Sequence, residues 1–124
     1  MYLINQKEYN CSIDIAQDIF NDNWKMKIIW HLLDGEKRYK ELTEEVKNIS
    51  QRTLTAKLRD LEEKNIVKRE SFAEIPPRVV YSLTPIGEKL RPILNSMFDW
   101  GIDYVEECGE FTKEGKCEPK LSRH

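Results

Sequence analysis

Apolar residues recur at helical spacing through most of the chain, and the spacing changes once, near position 66. Ile15, Ala16, Ile19 and Phe20 form one side of a first helix that Ser12 or Asp14 can cap. "NDN" at 21–23 interrupts it and offers a new cap. "WKMKIIWHLLDG" at 24–35 is a second helix with Trp24, Ile28, Leu32 and the neighbouring Ile29 and Leu33 facing inward. Gly35 follows its last turn, where a left-handed residue closes many helices. "YKELTEEV" at 39–46 is a short third helix with Tyr39, Leu42 and Val46 on one face, and "KNI" at 47–49 is a turn. Ser50 caps a fourth helix, whose Leu54, Leu58 and Leu61 make one narrow stripe, and Asn65 ends it, since asparagine tolerates the left-handed conformation. The period then falls to two. "IVKRESF" at 66–72 and "RVVYSL" at 78–83 are rich in β-branched and aromatic residues and read as a hairpin, its tip "AEIPP" stiffened by adjacent prolines. Thr84 and Pro85 start a last helix carrying Ile86, Leu90, Ile93, Leu94, Met97, Trp100, Gly101, Tyr104 and Val105, with Pro92 expected to kink it.

The fold class is therefore mainly α with a small β-hairpin. Two short helices joined by a tight turn and followed by a hairpin form a winged helix-turn-helix. Residues 1–108 read as a single domain that includes the terminal helices, and 109–124 as a flexible polar tail. The last helix is longer than one small winged helix can bury. Its unburied stripe, with Trp100 and Tyr104, marks a partner surface, and dimerisation is the favoured reading over plain core.

Composition narrows the function. At 124 residues, 40% hydrophobic and 34% charged, the chain fits a soluble globular protein. No apolar run approaches the roughly 20 residues needed to cross a bilayer. "MYLINQKEYN" lacks the basic-then-apolar layout of a secretion signal, so the expected compartment is the cytoplasm and no membrane partner is expected. Cys11, Cys108 and Cys117 are odd in number and lack paired spacing, which points to free thiols and away from a disulfide framework or a zinc site. His31 lies among core positions and reads as a packed or partly exposed side chain, not a ligand or a catalyst. No glycine loop can cradle a phosphate. No metal, cofactor or catalytic residue is assigned, and the chain is read as not an enzyme.

Net charge is −2, too acidic for a generic nucleic-acid binder. Its distribution says more. Residues 35–82 carry 11 bases against 9 acids, whereas 1–34 carry 3 against 5 and 83–124 carry 6 against 8. Within the fourth helix, no acid occurs between Ser50 and Arg59, while Asp60, Glu62 and Glu63 all come later. A helix designed for solvent places acids in its first turn. Arginine at the N-terminal end suits a helix that presents its free N–H groups to a phosphate or a guanine. Gln51, Arg52 and Thr55 are therefore candidates for base edges or nearby phosphates and Arg59 for a phosphate, with Arg38, Ser50 and Thr53 completing the DNA-binding set and Lys68 and Arg78 on the hairpin wing. For Arg78 the competing reading is a solvated hairpin arginine, or one that pairs with Glu70 or Glu74. A winged-helix module that binds another protein, not DNA, is the alternative function; a thiol enzyme resting on Cys11 is a third reading that nothing near it supports.

"RYKEL" (38–42), "ISQRTLTAKLRDLEEKNIVKRE" (49–70) and "IPPRVVYSLTPIGEKL" (75–90), flanked by Trp24 and Trp100, resemble the HxlR-type winged helix-turn-helix regulators of the broader MarR-like group. The resemblance covers roughly residues 11–105. It implies a homodimeric transcription factor, with Ile15, Ile19 and Phe20 of the first helix and Met97, Trp100 and Tyr104 of the last forming a two-fold interface that reads a palindromic operator. It also implies a candidate redox or electrophile sensor at Cys11, near a helix N-terminus that favours a thiolate; a packed thiol is the competing role. The chain departs from the family pattern in having Cys11-Ser12 where Cys-Pro is common, "NDNW" where a glycine-rich turn and lysine precede the tryptophan, and Asn65 where glycine is usual. The sequence does not identify a small-molecule inducer.

Overall fold

A computed structural model describes residues 1–110 and Lys120. The chain opens with an element that the hydrophobic pattern does not announce. Strands β1 (Tyr2–Ile4) and β2 (Lys7–Tyr9) pair antiparallel across a two-residue turn. Asn5 and Gln6 have φ of 48° and 68°, as the favoured hairpin turn requires at both central positions.

Helix α1 spans Ser12–Phe20. Its cap is neither Ser12 nor Asp14: Cys11 occupies that position with an extended backbone and no side-chain bond, and Asp14 instead lies in the first turn, where the helix dipole favours an acid. Helix α2 (Asn23–Leu32) starts where "NDN" offers a cap, with the Asp22 carboxylate accepting from Lys25 N–H at 3.1 Å. It ends at Leu32, one residue before the last apolar position of its pattern, and Gly35 beyond it has φ 137°. Strand β3 (Lys37–Arg38) leads into α3 (Tyr39–Glu45). After a turn at Asn48, with φ 67°, comes α4 (Gln51–Glu63). Ser50 Oγ accepts from Thr53 N–H at 3.1 Å, and Asn65 leaves the helix with φ 61°.

β4 (Val67–Phe72) and β5 (Arg78–Leu83) pair from Val67↔Leu83 to Phe72↔Arg78. The wing has three strands, not two. β3 joins the free edge of β5, giving the order β3-β5-β4. A strand of two residues is too short to show a period of two. Thr84 caps α5 (Pro85–Glu88), its Oγ1 accepting from Gly87 N–H at 3.1 Å while its hydroxyl donates to the Asn65 carbonyl at 2.6 Å. A Cβ on Gly87 would lie 2.3 Å from the Ile66 carbonyl oxygen, so only glycine lets α5 approach the start of β4. The expected single kinked helix is two helices. α6 (Arg91–Cys108) begins afresh, and Pro92 lies in its first turn, where a missing N–H costs no hydrogen bond.

The three faces predicted from periodicity meet in one core. Ile28, Ile29, Leu32 and Leu33 of α2 and its end pack with Leu42 and Val46 and with Leu54, Leu58 and Leu61 of α4, all at most 1% exposed. Trp24 and Tyr39 pack against this cluster from its rim. Buried Arg91 ties α6 to it, donating to the Leu33 carbonyl at 2.8 Å and pairing with Glu88 at 2.8 Å. A carbonyl at the end of α2 gains a donor, and the buried guanidinium gains a counter-charge. Among the described residues no helix is long and apolar enough to cross a membrane.

Candidate nucleic-acid interface

Helices α3 and α4 are locked at a defined angle by one side chain. The Tyr39 hydroxyl lies 2.9 Å from the Gln51 carbonyl, to which it donates, and 2.9 Å from Thr55 Oγ1. Ser50 Oγ adds a contact to Thr53 Oγ1 at 3.0 Å, so the first turn of α4 is also hydrogen-bonded to its own cap. With Leu54, Leu58 and Leu61 facing the core, Gln51, Arg52, Ala56 and Arg59 are left exposed on the opposite side. Thr55 is half-buried by its bond to Tyr39 and reaches this face only in part. Arg38 is exposed at the start of α3, where its N–H donates to the Glu41 carboxylate at 3.0 Å. Among the described residues, Arg38, Arg52 and Arg59 have no ion-pair partner.

The far end of α4 is the electrostatic opposite. Lys25, only 8% exposed, reaches from α2 to the Asp60 carboxylate, which also takes Lys64 at 2.7 Å. Lys57 pairs with Asp22 at 2.6 Å. Burial works to raise the Asp60 and Asp22 pKa values, but the lysine bonds outweigh it and hold both carboxyls below the usual carboxylate range. The first of the acids that follow Arg59 in the sequence thus serves the fold, because Asp60 neutralises an ammonium buried under the helix.

On the wing, Arg78 pairs with Glu74 at 3.3 Å and lies over the Phe72 ring at 4.2 Å, and Lys68 pairs with Glu70 at 3.2 Å. The two wing bases expected at DNA, Lys68 and Arg78, are therefore engaged within the hairpin in the free chain, whereas exposed Arg69 of β4 and Arg52 and Arg59 of α4 have no ion pair among the described residues. His31 is half-buried 3.5 Å from Glu45; burial lowers its pKa against the opposing pull of that carboxylate.

The residues expected at a dimer interface divide. Met97, Trp100 and Tyr104 are 43%, 66% and 55% exposed along α6, and Trp100 and Tyr104 stack with centroids 5.1 Å apart. Ile19 is a correction. At 7% exposed it belongs to this chain's own core, Phe20 packs against that core and Ile15 is half-buried, so α1 offers a partner less apolar surface than its spacing suggests. Cys11 and Cys108 are exposed free thiols at the start of α1 and the end of α6. Lys7, the base nearest Cys11 in sequence, is bound to Asp18 at 3.0 Å. Cys117 and the expected loose tail lie outside the described residues, apart from Gly109, Glu110 and Lys120. Lys120 is held by Asp34 at 2.8 Å and bonds to Asn95 through its backbone N–H at 2.7 Å. Tyr39 is the functional side chain that periodicity missed. It reads as one more apolar position, and its partner Thr55 lies 16 residues away.

A recognition-type helix held by a preceding short helix and flanked by a three-stranded wing defines a winged helix-turn-helix protein. Residues 19–108 match the HxlR-like helix-turn-helix family model. The chain is 37% identical over 111 residues to the uncharacterized HTH-type transcriptional regulator YdeP of Bacillus subtilis, spanning 90% of this chain and 87% of that one. Its fold is similar to that of the redox regulator HypR in its oxidized form (TM-score 0.70, 40% identity, 75% of this chain and 96% of that one). It is also similar to the reduced form of the transcriptional regulator YodB of B. subtilis (TM-score 0.72, 35% identity, 83% and 100%). The chain belongs to the HxlR-like helix-turn-helix family and is a transcriptional regulator of that type, not an enzyme.

Proposed function

We propose that this chain is a homodimeric, sequence-specific DNA-binding regulator that acts on a palindromic operator in the cytoplasm. One observation carries this: α4 presents Arg52 and Arg59, both exposed and without ion-pair partners among the described residues, on a face with no acid between Ser50 and Arg59, while the same helix is fixed behind by Tyr39 and Ser50. Unpaired arginine on a rigid helix N-terminus suits bidentate recognition of guanine or phosphate, and Ala56 between them lets the helix lie close to a groove. The exposed Met97, Trp100 and Tyr104 supply the apolar surface for a second copy, and a two-fold pair reads half-sites about 34–36 Å apart. Exposed Cys11 at the start of α1 is the proposed sensor of oxidants, a reading supported by the likeness to a protein named as a redox regulator.

The test is a gel shift over the DNA upstream of this protein's own gene, with sedimentation to set the stoichiometry. A dimer should retard that fragment over unrelated DNA. Arg52→Ala, still a folded dimer, should lose about 1–3 kcal/mol of affinity and part of its sequence preference. Wild-type affinity in that variant, or a monomer at micromolar concentration, would overturn the proposal. Retardation of no fragment, with capture of a protein partner through α4, would favour the interaction-module alternative.

A further inference from the structure

A cavity of about 430 Å³ lies on the side of the molecule formed by the N-terminal hairpin, α1, the end of α4 and α5. That size falls within the range of small-molecule sites, roughly 300–1,000 Å³. Its walls are aliphatic: Ile4, Ile15, Ile19, Ile66 and Ile86 come from the hairpin, α1, the start of β4 and α5. Tyr9 is the one aromatic side chain lining it. The rim is charged, with Asp18, Asp60 and Glu63 against Lys7 and Lys64, an excess of one carboxylate.

The partners of those charges decide what the cavity can accept. Lys7 and the Tyr9 hydroxyl are both bound to Asp18. Lys64 and the buried Lys25 are both bound to Asp60. Glu63 alone of the five rim charges has no ion pair among the described residues. Arg59 lies one turn before it but forms no pair with it, and a base preceding an acid by four residues is the weaker helical order. α4 carries no base in its last turn, and Lys64 at its C-cap is already taken by Asp60. An anionic ligand would have to take Lys7 or Lys64 from an existing partner. A cation would add to what is present.

We propose that this cavity binds an amphipathic organic cation, its aliphatic body among the isoleucines and its ammonium at Glu63. The hairpin makes the site accessible. Two strands of three residues are marginal alone, and this pair is tied to α1 by Lys7 and Tyr9 on Asp18, so a wall of the cavity can yield without disturbing the core. Because Asp60, Glu63 and Lys64 form the last turn and cap of α4, an occupant would bear on the helix that carries Arg52 and Arg59.

The probe is decyltrimethylammonium below its micelle concentration, compared with decanoate by calorimetry on the full chain without DNA, so that the outcome is independent of the operator. Wild-type protein should bind the cation saturably at one per chain and about fivefold more tightly than the anion, the size expected of one exposed charge contact. Glu63→Gln should lose that preference and keep the aliphatic affinity. Ile86→Trp, at a position 49% exposed, should fill the cavity and abolish binding of both probes; Ile4→Trp does the same from the hairpin should the first variant not fold. Equal affinity for cation and anion in the wild type would overturn the proposal. So would saturable binding that survives in a folded tryptophan variant, or uptake that never saturates.

Discussion

Tyr39→Phe removes one oxygen and leaves the ring packed against the core, so it isolates the joint between α3 and α4. Two contacts are lost, to the Gln51 carbonyl and to Thr55 Oγ1, each 2.9 Å long. A net hydrogen bond stabilises by about 0.5–1.5 kcal/mol, so two would give roughly 1–3. The structure argues for the lower end. Gln51 is four residues before Thr55, and a threonine hydroxyl in a helix can donate to that carbonyl, so one bond can re-form within α4 once Tyr39 lets go. Urea unfolding should show a loss of about 1 kcal/mol. The bond that re-forms no longer crosses to α3, so the N-terminal half of α4 is less well fixed when it meets DNA. Operator affinity should then fall by about fivefold for each 1 kcal/mol of lost fixing, and affinity for random DNA should hardly change. A cycle with Thr55→Val, read by stability, should give a coupling of at least about 0.5 kcal/mol between the two positions. Additive effects, together with wild-type operator affinity in Tyr39→Phe, would refute the idea that this hydroxyl positions the helix.

Three further outcomes are expected. Arg78→Ala should flatten the slope of log affinity against log salt by about 1 if the wing arginine leaves Glu74 for a phosphate on binding; an unchanged slope means that it stays within the hairpin. Diamide should change operator affinity in the wild type and not in Cys11→Ser; an equal response in both means that exposed Cys11 is not the sensor. His31, its pKa lowered from 6.5 by burial, binds a proton less readily folded than unfolded, so its contribution to stability is complete above pH 6.5 and declines as pH falls below it. Urea unfolding between about pH 7.5 and 5.5 should show that decline, and His31→Asn should reduce it.

The core and the helix-turn-helix were legible because their signals are local and redundant. The leucine stripe of α4 has a serine before it and a left-handed asparagine after it, and all three agree. The hairpin of β4 and β5 was legible for the same reason: alternating branched residues surround a double proline. What escaped was short or non-local. β1 and β2 turn at Asn5-Gln6, which lacks the glycine that usually advertises such a turn, and three residues a side cannot establish alternation. β3 exists because β5 has a free edge, a fact about pairing that no property of Lys37 and Arg38 reveals. Pro92 was visible, but its effect depended on whether a helix was already running when the chain reached it. Leu90 and Arg91 restart the helix, so proline falls in a first turn and bends nothing. The arginine face was legible as a gap in the acids; the hydroxyl that holds it in place was not, since the bond spans 16 residues.

The uneven charge along α4 follows from what each end must contact. Its C-terminal half lies over α2, which presents a nearly buried ammonium, Lys25. Leaving that ammonium unpaired would cost far more than an exposed charge is worth, so a carboxylate at Asp60 is a requirement of the fold. Asp60 then draws Lys64, and Lys57 turns to Asp22, so the lysines in this half are consumed internally. The N-terminal half lies over Tyr39 and Leu42, which ask for a hydroxyl and apolar contacts and for no charge. Arg52, in that half, and Arg59, on the exposed face further along, have no ion-pair partner among the described residues, and arginine in a first turn is slightly unfavourable in the free chain. A residue such as Arg52, whose charge costs the isolated helix something and neutralises nothing among the described residues, is accounted for by a ligand of opposite sign, which the proposed contact with the DNA backbone or a guanine edge would supply.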